Sequence, residues 1–240
     1  MNALRILGLD TSGKTASVAI LDTESGILFG EHTIYTSRTH SQVILPLCKK
    51  LLEECRMTPQ DVDCYAVAVG PGSYTGLRIG IAAVQGMAMV HDTPCVGVST
   101  LEAMASRIYG APQILSLMHA RADLFYCAWF SYIYSMSDAP RGVERMIPDE
   151  LQTAAEIAEV VHRMEEPVIL VGDGAEEFLK QYTAISNHPT DKLHIAPPML
   201  RLQSAAGVCH CAAFKEKLTP QELTASYLQA VQVQKAAGCR

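Results

Sequence analysis

Three strand patterns follow one another in the first 35 residues: Arg5 to Asp10, Thr15 to Asp22 and Ile27 to Tyr35. The turn-rich runs Thr11-Ser12-Gly13-Lys14 and Thr23-Glu24-Ser25-Gly26 join them. Links this short force neighbouring strands to reverse direction, so the chain opens on an antiparallel meander. The period then switches. His40 to Cys55 carries helical spacing, Asp63 to Val69 is an apolar strand, and Thr75 to His91 is helical; Pro94 to Val98 is a strand and Thr100 to Tyr109 is helical again. Three strands followed by this alternation predict a mixed sheet with helical layers.

After Gly110-Ala111-Pro112 the order partly repeats, which marks the start of a second lobe. Strands are expected at Gln113 to Met118 and Leu124 to Tyr132, then a polar segment near Ser135 to Gly142 and a short strand near Glu144 to Ile147. A helix from about Thr153 to Met164, a strand Val168 to Val171 and a helix after Gly172-Asp173-Gly174 follow. From Ser204 onward the pattern reads as mainly helical. The expected division is a first lobe over residues 1–105, a second over 106–218, and a C-terminal segment, 219–240, returning to the first.

Composition narrows the function classes. With 49% apolar residues the chain of 240 buries a sizeable core. Lys and Arg total 19 against 25 Asp and Glu, a net charge of −6, with Lys49-Lys50 the only basic doublet. That is a poor footprint for a stand-alone nucleic-acid binder, so an RNA substrate would need a basic partner to hold it. The longest apolar stretch, Gly76 to Val90, is shorter than the roughly 20 residues a bilayer requires and contains Arg78 and Gln85. The eight cysteines are scattered and no signal-peptide core follows Met1, so a cytoplasmic protein with reduced thiols is expected. Cys209-His210-Cys211 lies in a helical pattern without a second ligand pair at metal spacing.

Two segments are chemically suggestive. Asp10-Thr11-Ser12-Gly13 ends the first strand in a hydroxyl-rich turn: Asp10 could hold hydrated Mg²⁺ while the turn's N–H groups face a phosphate, or the residues could simply form an Asx-type hairpin. Gly70-Pro71-Gly72-Ser73-Tyr74-Thr75-Gly76-Leu77-Arg78 follows a strand and opens a helix. That geometry favours anions, and it serves equally as a tight turn capped by Ser73 or Thr75. No Gly-x-Ser-x-Gly elbow, His-Glu-x-x-His or Cys-x-x-Cys is present. The helix Ser41 to Cys55 has an apolar arc of roughly 200°, about twice what packing on one sheet needs. The helix Gly76 to Val90 is apolar almost all round. Such a pair suggests an interface as well as a core.

Leu7-Gly8-Leu9-Asp10-Thr11-Ser12, His40-Ser41-Gln42 with Leu45-Pro46, Val69-Gly70-Pro71-Gly72-Ser73-Tyr74-Thr75-Gly76-Leu77-Arg78-Ile79-Gly80 and Gly97-Val98-Ser99-Thr100-Leu101-Glu102-Ala103 together resemble the bacterial TsaB (YeaZ) family. The resemblance is specific over residues 1 to about 105. Beyond it, Ala120-Arg121 and Val171-Gly172-Asp173-Gly174 agree, and Tyr227-Leu228-Gln229 stands where the family has Tyr-Leu-Arg. It implies an α/β, actin-like two-lobed ASKHA (ribonuclease H-like) fold. It also implies a place in the machinery that installs N6-threonylcarbamoyl on tRNA adenosine 37, as a non-catalytic scaffold that binds and activates the catalytic paralogue TsaD.

TsaD transfers the threonylcarbamoyl group and binds metal through a His-x-x-x-His pair on a helix. The common Gly-Val-x-x-Leu-Glu frame puts Thr100 and Met104 at those positions here. A hydroxyl and a thioether suit no hard or borderline cation, so no metal site is expected. The resemblance further implies no cofactor bound by the chain alone, ATP or ADP at an interface shared within the complex, a TsaE-type ATPase joining through the complex, and tRNA contacted only indirectly. A homodimer is expected when the chain is alone. Partner-binding residues are expected at Val43, Leu45, Leu47, Leu52, Ser73, Tyr74, Thr75, Arg78 and Gln85, and vestigial phosphate-binding ones at Asp10, Thr11, Ser12 and Gly13. The competing reading is an independent ASKHA-type ATPase or phosphotransferase, anchored on Asp10 and using Gly172-Asp173-Gly174 as its nucleotide loop.

Overall fold

The computed structural model describes residues 4–35, 39–133, 142–186 and 189–228. The first lobe runs β1 (Arg5–Asp10), β2 (Thr15–Asp22), β3 (Leu28–Tyr35), α1 (His40–Glu54), β4 (Cys64–Gly70), α2 (Tyr74–Ala88) and β5 (Cys95–Ser99), in sheet order β3-β2-β1-β4-β5. The meander pairs antiparallel, with Asp10 opposite Ser17. β4 and β5, each reached through a helical crossover, lie parallel to β1 and β4. β1 and β4 are covered on both faces, which is why Ile6 to Leu9 and Cys64 to Val69 read as near-continuous apolar runs.

The second lobe follows α3 (Thr100–Ala105): β6 (Gln113–Arg121), β7 (Leu124–Tyr132), β8 (Val143–Thr153), α4 (Ala154–Arg163), β9 (Val168–Val171), α5 (Ala175–Ile185) and β10 (Leu193–Ile195). Read from its β8 edge, the sheet runs β8-β7-β6-β9-β10, with two antiparallel then two parallel pairings. It reproduces the first sheet strand for strand. β8 is longer than the short strand expected: Pro148 sits within it because β8 is an edge strand and needs no outer donor. β10 and α6 (Pro198–Arg201) are too short to leave a periodic trace in the sequence.

The tail departs furthest from expectation. Among the described residues only α7 (Ala205–Ala212) is helical beyond Ser204, and it packs on the first sheet, with Val208 and Cys209 against Ile6, Ala19 and Ala66. The return to the first lobe therefore starts near Gln203, whose carbonyl accepts from the Thr15 hydroxyl, and not after residue 218. The segment 213–228 continues as an extended strap. Leu218 exchanges both backbone hydrogen bonds with Cys95 (2.7 and 2.8 Å), Leu223 is buried, and the Ser226 N–H donates to the Val69 carbonyl. Thr219-Pro220 explains the missing helix, since proline disfavours helical backbone in the residue before it. Gln229 and the polar stretch 134–141 lie outside the described residues, as does everything after 229.

Seven cysteines are described and all are free; Cys55 is half-buried and the rest are buried. Burial pushes the Cys48, Cys64, Cys127 and Cys211 thiols up to about 12 and Cys95 to about 11. Only the thiolate alkylates. Peptide mapping after brief native iodoacetamide treatment is expected to find Cys55 modified first among these seven; early labelling of Cys48 or Cys209 would contradict the core placement. Among the described residues no helix is long and apolar enough to cross a membrane.

Candidate functional site

The β1–β2 turn is the first candidate. Asp10 Oδ1 accepts from both the Ser12 N–H (2.9 Å) and the Ser12 hydroxyl (2.6 Å), which makes an Asx turn. The Thr11 hydroxyl donates to the Gly76 carbonyl at 2.7 Å, the Ser12 carbonyl accepts from the Ser73 N–H at 2.7 Å, and the Gln203 side chain lies over Gly13. Asp10, Thr11 and Ser12 are consequently 0% exposed. The four residues meant for phosphate do come together, but in a closed turn whose hydroxyls are spent internally, and the phosphate expectation is corrected on that ground. Asp10 Oδ2 has no partner among the described residues, and neither does His40 Nδ1; His40 Nε2 lies 2.9 Å from the Gly13 carbonyl. Desolvation raises Asp10 to about 6, against the opposing pull of the Ser12 bonds and the nearby His40.

The glycine-rich loop is the lid of this turn. Ser73 caps α2, its hydroxyl accepting from the Gly76 N–H at 3.2 Å. A Cβ on Gly76 would stand 2.1 Å from the Thr11 carbonyl oxygen. The glycine is there so that α2 can touch the β1–β2 turn, while Ser73, Tyr74 and Thr75 at the start of the helix stay exposed.

The outer face of α1 and α2 sorts the partner residues. Leu45 (48% exposed) and Tyr74 (56%) stand out with Thr75 and Arg78, and Val43 is half-buried. Leu47 and Leu52 are corrected: both are buried in the first-lobe core beside Ile44, Cys48 and Leu51, because the sheet and α2 together take more of α1 than one sheet alone would. Gln85 is also committed inward, its Nε2 donating to the Pro220 and Leu223 carbonyls at 2.9 and 3.1 Å and so holding the strap. Ser73 is exposed, yet its hydroxyl is taken by the cap. Met89 and Val90, within the apolar run expected to be helical as far as Val90, are exposed just past the end of α2. One feature escapes a sequence reading. Tyr227, 149 positions from Arg78, accepts a hydrogen bond from its Nε at 3.1 Å and stacks on Tyr74 with ring centroids 5.2 Å apart. No local pattern could have signalled that contact.

Between the lobes lies a cavity of about 480 Å³ lined by Lys14, His119, Asp173, Glu176, Glu177 and Lys180. Three carboxylates face two ammonium groups, and two of those carboxylates occupy the first turn of α5, where a phosphate would have to sit. Desolvation raises Asp173, with Lys14 opposing it, and its Oδ1 has no partner among the described residues. The loop Gly172-Asp173-Gly174 is built for packing: Cβ atoms there would meet the Leu117 carbonyl oxygen at 1.9 Å and the His119 nitrogen at 2.8 Å. The residues lining this cleft do not fit ATP or ADP.

On α3, Thr100 and Met104 are both 0% exposed, Met104 packed with Leu101, Ile114 and Met118. The polar edge of α3 is tied down as well. Glu102 pairs with Arg145 (3.1 Å) and Lys215 (3.0 Å), while Asp149 accepts from the Ser99 hydroxyl (2.6 Å) and pairs with Arg145. Among the described residues no group of three His, Cys, Asp or Glu side chains could hold a metal ion.

Two copies of one five-stranded topology, each a mixed sheet with flanking helices, define an actin-like two-lobed ASKHA protein, whose α3 buries Thr100 and Met104. Residues 34–141 match the family described as "TsaD: tRNA N6-adenosine threonylcarbamoyltransferase". The chain is 32% identical over 170 residues to the tRNA threonylcarbamoyladenosine biosynthesis protein TsaB of Bacillus subtilis, covering 70% of this chain and 71% of that one. It is 36% identical over 132 residues to the TsaB protein of Escherichia coli, covering 54% and 55%. The solved structure of YeaZ from Pseudomonas aeruginosa superposes with a TM-score of 0.76 at 26% identity, over 94% of this chain and all of that one. The chain belongs to the TsaB (YeaZ) family.

Proposed function

We propose that this chain serves tRNA threonylcarbamoyladenosine biosynthesis as a non-catalytic subunit, docking through the outer face of α1 and α2 onto a TsaD-type catalytic paralogue and activating it. The names carried by its relatives support the pathway. The observation that carries the subunit role is the pairing of a buried Thr100 and Met104, a hydroxyl and a thioether, with an outer face that leaves Leu45, Tyr74, Met89 and Val90 in solvent. A homodimer through the same face would compete with the paralogue. Nucleotide and a TsaE-type ATPase would enter at surfaces formed with the partner, since the lining of the chain's own cleft repels phosphates, and tRNA would be held chiefly by the other subunits.

Leu45→Glu tests the docking face. Its side chain lies outside the core, so circular dichroism of the free variant is expected to match wild type. Placing an unpaired carboxylate in an apolar interface is expected to weaken binding to the paralogue roughly 100-fold and to abolish stimulation of tRNA modification in a reconstituted assay. Wild-type affinity and stimulation from Leu45→Glu would move the docking face elsewhere. Transfer activity by the chain without its paralogue, or stoichiometric ATP binding in a titration of the free chain, would favour the independent enzyme instead.

A further inference from the structure

Arg78 is the only charged residue of α2, and the fold has fixed its orientation before any partner arrives. Its guanidinium carbon lies 4.1 Å from the Tyr74 ring centroid, and its Nε donates to the Tyr227 hydroxyl. Tyr227 in turn stacks on Tyr74, and the strap that carries Tyr227 is pinned by Leu223, by Gln85 and by the Ser226–Val69 backbone bond. Among the described residues neither Nη atom has a hydrogen-bond acceptor, so two parallel donors remain at the end of an anchored side chain. Resting on the docking face proposed above, we propose that Arg78 is a preset receptor for a carboxylate side chain of the protein partner, with Tyr227 as its positioning residue.

Three observations select this ligand. A planar guanidinium with both Nη groups free matches a carboxylate with two parallel hydrogen bonds, and holding it in place beforehand removes part of the ordering cost of binding. Its neighbours are the exposed rings of Tyr74 and Tyr227 on an otherwise uncharged helix, and an arginine beside aromatic rings is typical of a protein-binding hot spot. A phosphate backbone calls for several cations. Here Arg78 stands alone on its helix, and the nearest basic pair in sequence, Lys49 and Lys50 on α1, is engaged by Glu53 and Glu54.

The test is the affinity of the full-length chain for its TsaD-type paralogue, measured at low and high salt for Arg78→Gln, Arg78→Lys and Tyr227→Phe. Arg78→Gln is expected to bind roughly tenfold more weakly at low salt and to lose most of the salt dependence. Arg78→Lys, which keeps the charge but not the fork, is expected to recover only part of the affinity. Tyr227→Phe, which keeps the ring but frees the Nε, is expected to weaken binding roughly threefold without changing the fold. Wild-type affinity and salt slope in Arg78→Gln, alongside impaired Leu45→Glu, would overturn the receptor while leaving the docking face intact. Unchanged paralogue binding with weakened tRNA binding by the assembled complex would overturn it in favour of a phosphate contact. Failure of the wild-type chain to bind the paralogue at all would bring down the docking reading, and the receptor with it.

Discussion

Gly76→Ala is expected to lower the melting temperature by roughly 10 °C, a large effect for one methyl group. The added Cβ would stand 2.1 Å from the Thr11 carbonyl oxygen, and the obstacle is the backbone of a residue that is itself fully buried. Relief requires α2 to back away from the β1–β2 turn. That movement breaks the Thr11 hydroxyl bond to the Gly76 carbonyl and the Ser73 N–H bond to the Ser12 carbonyl, two bonds whose acceptors have no water to turn to. Two lost buried hydrogen bonds plus repacking cost roughly 3–5 kcal/mol, and in a chain of this size each kcal/mol shifts the melting point by about 2–4 °C. Gly86→Ala is the matched control, since a Cβ there meets nothing within 4 Å on an exposed turn of the same helix. Helix propensity alone should make that variant slightly more stable than wild type. Thermal unfolding followed at 222 nm reads both; a Gly76→Ala melt within about 2 °C of wild type would show that the loop yields and that the close contact is not what fixes the glycine.

The same contact explains what the sequence could and could not say. The meander, the helical crossovers and the doubling of the lobe were legible because each leaves a local period or a turn signature, down to Asp10 at the end of β1 and Ser73 at the start of α2. The purpose of the glycines was not legible. A run such as Gly70 to Gly80 looks the same whether backbone N–H groups face a phosphate or a neighbouring turn, and only the tertiary position of Thr11 decides between them. The wide apolar arc of α1 posed the same ambiguity. Leu47 and Leu52 are core because α2 lies beside α1 on the sheet, a neighbour that periodicity within one helix cannot report. The tail reads as helical for a related reason: its strap is held by Cys95, Val69 and Gln85, more than 120 positions away, so no local pattern marks it as extended.

What the sealed turn implies for stability is clearest at Asp10. Its folded pKa of about 6 lies above the ordinary carboxylate value of 3.8 because burial outweighs the two bonds from Ser12. Between those values the folded chain holds a proton that the unfolded chain has released, so stability is present near pH 4 and falls as the pH rises through 6, then levels off. The gap between 3.8 and about 6 corresponds to a loss of roughly 3 kcal/mol across that window. The exposed carboxylates Asp22, Asp61, Glu177 and Glu222 are lowered by local hydrogen bonds and act in the opposite sense, losing stability as pH falls. They are unchanged by a substitution at position 10, so a difference profile cancels them. Asp10→Asn keeps an oxygen to accept both Ser12 bonds and never ionises. Urea unfolding of the two proteins between pH 4 and 7.5 is therefore expected to show Asp10→Asn gaining on wild type by roughly 2–3 kcal/mol over the range. Parallel profiles would mean that Asp10 ionises in the fold as freely as in water, and that the turn is open to solvent after all.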